Sequence, residues 1–397
     1  MLTKSTSRVI TANGLYLTAF GLYFIYAFFA TSMYNDFLPV RFDLLVLAIV
    51  APLLLVKIIV FDHYRFGQWL LLLAIFAISL LSARTSGRYV LIAVTLLILG
   101  ARQVPFNEIA KTALFLGVLT LGLIVLSAQF ELIPNLQFIR DGAYRNSFGI
   151  QYPTDFAAHI FYLLLTYAVV KQGHFKWFDY LISLFAAWFI DVYCDVRLDV
   201  ILIILLLIVL LIYQLILKGV KPAIWVGKLS VAAMFVCTLL SLGLSYFYSP
   251  KIKWLAQLNQ LLSSRLRLGR LALDRYQPQL LGQVVHVNGW GGSQGIKQFM
   301  NNVANKEYFY IDSAYLNTLL TFGIIVSLIL LIAYTWFAWR QVQQQNYLLP
   351  LIIAVTAISC IVDQHLLDIS YNIFILALLA DTKTLQQPTV IWKRGIL

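Results

Sequence analysis

Apolar residues come in long blocks along this chain, broken by short polar turns. Windows of about twenty such residues can each cross a bilayer as a helix. They fall at about 12–32, 43–61, 67–82, 88–101, 112–129, 155–170, 177–190, 200–217, 225–247, 313–338, 347–363 and 366–381. The fourth and seventh of these twelve are short. There is no six-plus-six internal repeat. Two stretches fall outside the block pattern, 130–154 and 248–311. The pattern therefore predicts an all-α fold. It would be a polytopic membrane helix bundle of about twelve transmembrane helices, a single membrane domain over 1–397. Both would be outer loops, 130–154 and the larger 248–311, the latter carrying short helices and covering whatever water-exposed site the chain has.

Composition agrees: 61% of the 397 residues are hydrophobic, only 12% are charged, and mean hydropathy is +0.83. Soluble domains carry about a quarter charged residues. The first apolar run, 15–30, follows Lys4 and Arg8 without a small-residue cleavage site and reads as a retained span. Cys237 and Cys360 lie in apolar runs and Cys194 at a span end, so no disulfides are expected.

Charge gives the chain an orientation. With both termini inside, the inside segments hold 15 basic residues against 4 acidic, and the outside segments 14 against 13. The positive-inside rule favours this arrangement, a multi-pass protein of the cell membrane with cytoplasmic termini. The net charge of +12 then anchors loops near anionic lipid, and nucleic acid need not be invoked. The short outside segments carry only arginine: Arg41, Arg84, Arg88, Arg140, Arg145 and Arg197. Arginine contacts phosphate bidentately where lysine is a point charge. Chance and snorkelling also account for this bias.

Five stretches carry candidate chemistry. In "YRNSFGIQYPTDFAAHIFYLLL", from Tyr144, Pro153 and Thr154 open a helix with Asp155 in its first turn, and Arg145 sits near the membrane surface. In "YSPKIKWLAQLNQLLSSRLRLGRLALDRY", from Tyr248, a single helix would place Leu255, Leu258, Leu262 and Leu266 in one stripe. Lys253, Arg267, Arg270 and Arg275 would lie opposite, as in an interfacial helix with a basic face. Arg265 falls within the leucine stripe, where a buried arginine needs an anionic partner. "HVNGWGGSQG", from His286, matches neither a dinucleotide nor a phosphate-loop pattern and reads as a flexible or tightly turned loop near the site. Asp191, Asp195 and Asp199 would share one helical face and could hold a cation, or form a connecting turn. Asp363, His365 and Asp368 cluster in a short connector, where polar residues must go, and could also line a site.

Arginines, a few carboxylates and two loops above an apolar bundle suit a lipid with its tail between helices and a pyrophosphate head. Arginines would neutralise a leaving pyrophosphate. A carboxylate would take a proton from an attacking hydroxyl. Asp312, at the mouth of the apolar run "IDSAYLNTLLTFGIIVSLILLIAY", stands where that role requires a charge; a plain helix-start residue favoured by the dipole is the alternative.

Three segments carry a family resemblance. "RNSFGIQYPTDFA", "LLSSRLRLGRLALDRYQPQLLG" and "IDSAYLNTLLTFGII", in order across about 145–372, resemble segments of Gram-positive polysaccharide polymerases of the Wzy type, in the group that includes O-antigen ligases. Tyr152 and Thr154 stand where His and Asn are common in that family. "CDVR" at 194–197 replaces a T-x-S-R pattern, and Asp368 stands where Glu is frequent. These departures fall on acceptor contacts, which should vary with the sugar.

The resemblance implies polymerisation of oligosaccharide repeat units carried on polyprenyl pyrophosphate. It implies Asp312 and Arg265 as catalytic residues, with Asp312 as general base or orienter of the acceptor. Arg145, Arg197, Arg267, Arg270, Tyr315, Asp368 and Asn372 would bind pyrophosphate or sugar, with Tyr315 one helical turn below Asp312. Neighbouring arginines would keep the Asp312 carboxylate ionised. No metal and no cofactor are expected, since arginine charge can replace a metal. The expected partners are the lipid-linked oligosaccharide, membrane lipid and a chain-length regulator. A flippase of lipid-linked sugar and a ligase that moves finished polymer to another acceptor remain as alternatives. The missing repeat and the large loop count against the flippase.

Overall fold

The computed structural model describes residues 2–140, 142–293, 295–297 and 308–385. Part of the second loop (298–307) and the basic residues Lys393 and Arg394 counted above lie outside them. Among the described residues the protein is all-α apart from one hairpin of β1 (Gln137–Arg140) and β2 (Ala143–Asn146). Among the described residues, nine helical segments are long and apolar enough to cross a membrane. This marks the chain as a multi-pass membrane protein.

The helices are α1 (Leu2–Ala30), α2 (Phe42–Val56), α3 (Phe66–Ser86), α4 (Val90–Gly100), α5 (Phe106–Gln129), α6 (Pro153–Val170), α7 (Trp177–Cys194) and α8 (Arg197–Leu217). Then follow α9 (Lys221–Leu229), α10 (Ala233–Tyr246), α11 (Lys253–Leu261), α12 (Arg265–Arg275), α13 (Ala314–Asn317), α14 (Ile324–Gln343) and α15 (Leu348–Ser359). The chain shuttles between two ends of one bundle. At the loop end, Met33 N–H reaches Gly149 O, Gly292 N–H reaches Gln151 O, and the Gln151 side chain reaches Ala30 O. At the other end, Lys57 reaches Asp62 and Arg102 O, and Phe106 N–H reaches Asp381 O.

The twelve expected spans are not twelve equal helices. α4 and α15 are short, 11 and 12 residues. Nearly all of both is buried, so the surrounding protein and not lipid satisfies them. The last passage, expected as a span over 366–381, has no α-helix. It runs as 3-10 turns His365–Leu367 and Ile373–Leu378. Ile373 to Ala377 are at most 1% exposed, and non-helical backbone is tolerated at membrane depth only when protein encloses it.

The expected span 313–338 is likewise broken. α13 passes into a π turn at Thr318–Phe322, Gly323 turns out at φ +94°, and α14 restarts at Ile324. A restarting helix exposes N–H groups without partners. The second loop supplies them: Ile324 N–H bonds Gln279 O at 2.9 Å and Ile325 N–H bonds Leu280 O at 3.1 Å. In return, Gln283 N–H bonds Thr321 O at 3.1 Å, while Ser82 Oγ of α3 caps Phe322 O at 2.8 Å. The contact is backbone on backbone. A Cβ on Gly282 would lie 2.1 Å from Thr321 O, and one on Gly323 would lie 2.3 Å from Gly282 N.

The single basic helix expected from Tyr248 onward is two. Ser263 and Ser264 take left-handed φ values of 50° and 68°, ending α11 and starting α12 in a new register. The leucine stripe therefore does not run continuously from Leu255 to Leu266. The three cysteines are free and buried.

Candidate functional site

The site is built where the entry to α13 meets the end of α15. Ile311 is buried in a small apolar cluster with Phe309, Leu316 and Leu320, which fixes the chain just ahead of Asp312. Just after it, Ser313 Oγ bonds Ser241 Oγ of α10 at 2.7 Å. Ala314 N–H is shared between Cys360 O at 3.0 Å and Asp363 O at 3.2 Å. Asp312 precedes the N-cap Ser313 of a four-residue helix, so it is a loop residue held from both sides, not a first-turn helix residue.

Arg265 opens α12 and reaches across to this junction. Its Nε donates to Val362 O at 2.7 Å, and it lies 3.7 Å from Asp312 Oδ2 and 3.9 Å from Asp363 Oδ1. The Arg265 side chain is 12% exposed, that of Asp312 24%, and that of Asp363 8%. The anionic partner expected for a buried arginine is thus two carboxylates. Burial pushes the Asp312 carboxyl above its ordinary range, and the Arg265 charge pulls it part of the way back. The arginine effect expected from sequence is present, but desolvation outweighs it. Asp363 is pushed up to about 7 by burial and by Asp312, against the pull of Arg265.

Two further carboxylates close the cluster, and spacing alone could not have grouped them. Asp155, in the first turn of α6, lies 3.9 Å from His365 Nε2. Asp199, in the first turn of α8, is 1% exposed. Asp199 Oδ1 and Asp363 Oδ2 are buried without a hydrogen-bond partner among the described residues. Behind them Phe28, His159, Tyr371 and His365 stack in a row at 4.0, 3.9 and 3.7 Å between ring centroids. Thr31 Oγ1 meets His159 Nε2 at 2.8 Å.

Arg145 stands on the hairpin wall. Its Nε donates to Cys194 O at 2.9 Å, its guanidinium lies over the Tyr152 ring at 5.5 Å, and its Nη2 is buried without a partner. It is therefore an ordered guanidinium with one unused edge. The neighbouring Arg140 is spent on Asp195.

The other expected site residues divide. Arg197 is 78% exposed and only 3.9 Å from Asp195. Arg270 pairs with Asp274 and lies over Tyr246, and Arg267 is exposed on the same helix. All three arginines share α12, and helical spacing sets Arg267 and Arg270 about 160° and about 140° around it from Arg265, so both point away from the Arg265 junction. Tyr315 does not sit a helical turn below Asp312 in an open site. It is 6% exposed and its hydroxyl donates to Ala357 O at 2.7 Å, because the helix begins only after Asp312. Asn372 is fully buried, bonding Leu366 O and Tyr334 Oη and capping the Ile373–Leu378 turn, so it organises the last passage. Asp368 accepts from Ser370 N–H and Oγ.

The acidic triplet does not share a helical face. α7 ends at Cys194, Asp195 caps it in a left-handed turn and bonds Arg140, and only Asp199 enters the interior. No group of three His, Cys, Asp or Glu among the described residues is arranged to hold a metal ion. The glycine-rich loop from His286 is docked, not free. Asn288 pairs with Phe309 through both backbone groups, and Ser293 Oγ donates to Asp36 at 2.6 Å.

No family model matches the chain, and neither a curated protein nor a solved structure is similar enough to count as a relative.

Proposed function

We propose that this protein polymerises oligosaccharide repeat units carried on polyprenyl pyrophosphate, the activity its motifs resemble, at the outer face of the cell membrane with both termini in the cytoplasm. One observation carries the reading: Arg265, nearly buried, is aimed at the partly exposed Asp312 from a second loop helix. That places a fixed positive charge beside a carboxylate at the mouth of an apolar bundle.

In this reaction the C1–O bond between the growing chain and its pyrophosphate breaks. A new C1–O bond forms to a hydroxyl of a fresh lipid-linked unit. The hydroxyl proton passes to Asp312, and polyprenyl pyrophosphate leaves. Asp312 suits the role better than Asp363 because it is the more exposed of the two. A carboxylate raised toward the working pH is also the stronger base. Arg265, and Arg145 through its unused Nη2, would neutralise the departing pyrophosphate. The remaining three carboxylates make the site poor for an unescorted anion, so charge on the substrate must be met by these two guanidiniums.

The test is to purify the protein in nanodiscs, supply the lipid-linked repeat unit from its own gene cluster, and examine products by mass spectrometry. A ladder of lengthened chains that disappears in Asp312→Asn is expected. No ladder with a substrate that cells do polymerise would overturn the reading and leave the flippase and ligase alternatives.

A further inference from the structure

The segment leading into Asp312 alternates. Phe309 and Ile311 are each 2% exposed, packed against Ala272, Val285, Leu316 and Leu320. In extended chain, successive side chains point to opposite sides. Tyr308, Tyr310 and Asp312 therefore share the other side, and their contacts agree. The Tyr310 hydroxyl meets the side chain of Gln364, next to Asp363. Burial and the Asp312 charge together push the Tyr308 phenol up, with Arg265 acting against them. Two aromatic rings thus precede the proposed base on its own side of the chain.

The glycine-rich loop adds a third. Through the Asn288–Phe309 pairing it runs alongside this segment, and Trp290 packs against Tyr308 with ring centroids 4.6 Å apart and planes inclined by 51°. The glycines explain how it fits so close. A Cβ on Gly289 would lie 3.0 Å from the Tyr310 ring, and one on Gly295 would lie 2.3 Å from the Trp290 carbonyl carbon. On its far side the loop rests on the Arg145 wall, where Gly292 N–H donates to Gln151 O at 2.9 Å and a Cβ on Gly291 would lie 3.7 Å from Tyr152. Trp290 remains 39% exposed. A docked, partly exposed indole beside two phenols and a carboxylate has a specific chemistry. Its apolar face suits the C–H face of a sugar ring, and the phenols suit the hydroxyls at the rim.

We propose that Trp290 and Tyr308 form a platform on which a sugar ring of the acceptor oligosaccharide stacks, placing a hydroxyl at Asp312. The word acceptor rests on the polymerase reading; the sugar platform itself does not. Trp290 binds and does not take part in the bond changes. The ordinary alternative is an aromatic belt residue at the membrane surface. Against it, Tyr308 lies on the Asp312 side of its extended segment, Tyr310 on that side meets Gln364, and the loop is tied to Gln151 and Asp36.

The probe is the repeat oligosaccharide freed of lipid by mild acid from the cells' own lipid-linked pool. Its binding to the full-length protein in nanodiscs is measured by calorimetry, beside polymerisation of the intact lipid-linked unit. Trp290→Ala should weaken oligosaccharide binding about tenfold or more, a loss of about 1.4 kcal/mol. It should raise KM for the lipid-linked unit similarly and leave kcat within about threefold. Trp290→Phe and Trp290→Tyr should restore most of the affinity, since a ring is what the sugar needs. The platform is overturned if Trp290→Ala binds normally, if the ring-bearing variants are as weak as Trp290→Ala, or if only nanodisc insertion changes. Ring-dependent binding without any ladder would keep the platform and remove the polymerase reading.

Discussion

Gly282→Ala tests whether the loop really closes the broken span. The new Cβ would meet Thr321 O at 2.1 Å, and a carbonyl in a π turn cannot rotate aside as a side chain can. Gly282 also sits at φ +82°, a region that costs a residue with a Cβ about 1–2 kcal/mol. Relief of the clash requires the loop to lift. Lifting breaks the bonds from Gln283 N–H to Thr321 O, Ile324 N–H to Gln279 O and Ile325 N–H to Leu280 O. At about 1 kcal/mol each, these bring the expected cost to roughly 4 kcal/mol. Hydrogen–deuterium exchange at residues 283, 324 and 325 reads this directly, since local opening sets the rate. An increase of about a thousandfold is expected, at 1.4 kcal/mol per factor of ten. Gly122→Ala is the control, because nothing lies within 4 Å of its Cβ and its φ is helical. Unchanged exchange in Gly282→Ala, with the control also unchanged, would refute the docking argument. Gly323→Ala should behave alike, as its Cβ would lie 2.3 Å from Gly282 N.

Arg265→Lys keeps a charge but cannot serve Val362 O, Asp312 and Asp363 together, so polymerisation should fall at least about tenfold, while Arg267→Lys stays near wild type; equal rates in the two variants would sink the assignment. Because Asp312 lies above the ordinary carboxylate range, its base form is lost as pH falls through that raised value. The acid limb of kcat/KM should therefore lie above about pH 4, and Arg265→Gln should move it higher still in whatever activity remains. Asp363 binds its proton more tightly folded than unfolded. Stability from this group is full below about pH 4 and declines as pH rises toward about 7, so unfolding in detergent at pH 5 and pH 8 should differ, and Asp363→Asn should flatten that slope.

The bundle was legible because hydropathy reports burial in lipid, and blocks of apolar residues are long. Its irregular parts were not. The break at Gly323 depends on Gln279 and Leu280 offering carbonyls from a separate loop, and the 3-10 passage at Ile373–Leu378 depends on walls supplied by other helices. Neither dependence leaves a periodic mark. Arg265 was visible because an arginine in a leucine stripe is an anomaly that demands a partner. Arg267 and Arg270 share its helix, but helical spacing turns them to the side away from Arg265. Tyr315 and Asn372 were visible as polar residues, yet both spend their polarity on backbone carbonyls in the core. Asp155, Asp199 and Asp363 come from three distant segments, and only packing brings them near one another. Trp290 gave a weak sign in the glycines around it, which permit close approach and not the flexibility that such loops usually suggest.

The enclosed last passage has a consequence for how the molecule is made. A segment whose backbone bonds are not closed within itself cannot be released into lipid by the insertion machinery as a free-standing helix. Its tunnel, formed by α4, α5 and α14, is complete only after those helices have assembled. The ribosome delivers 365–380 after all three of these helices, and the walls are then already in place to receive it. Order of synthesis and order of enclosure thus coincide, and a circular permutant that moved this stretch to the front would ask the membrane to hold an unpaired backbone with nothing around it.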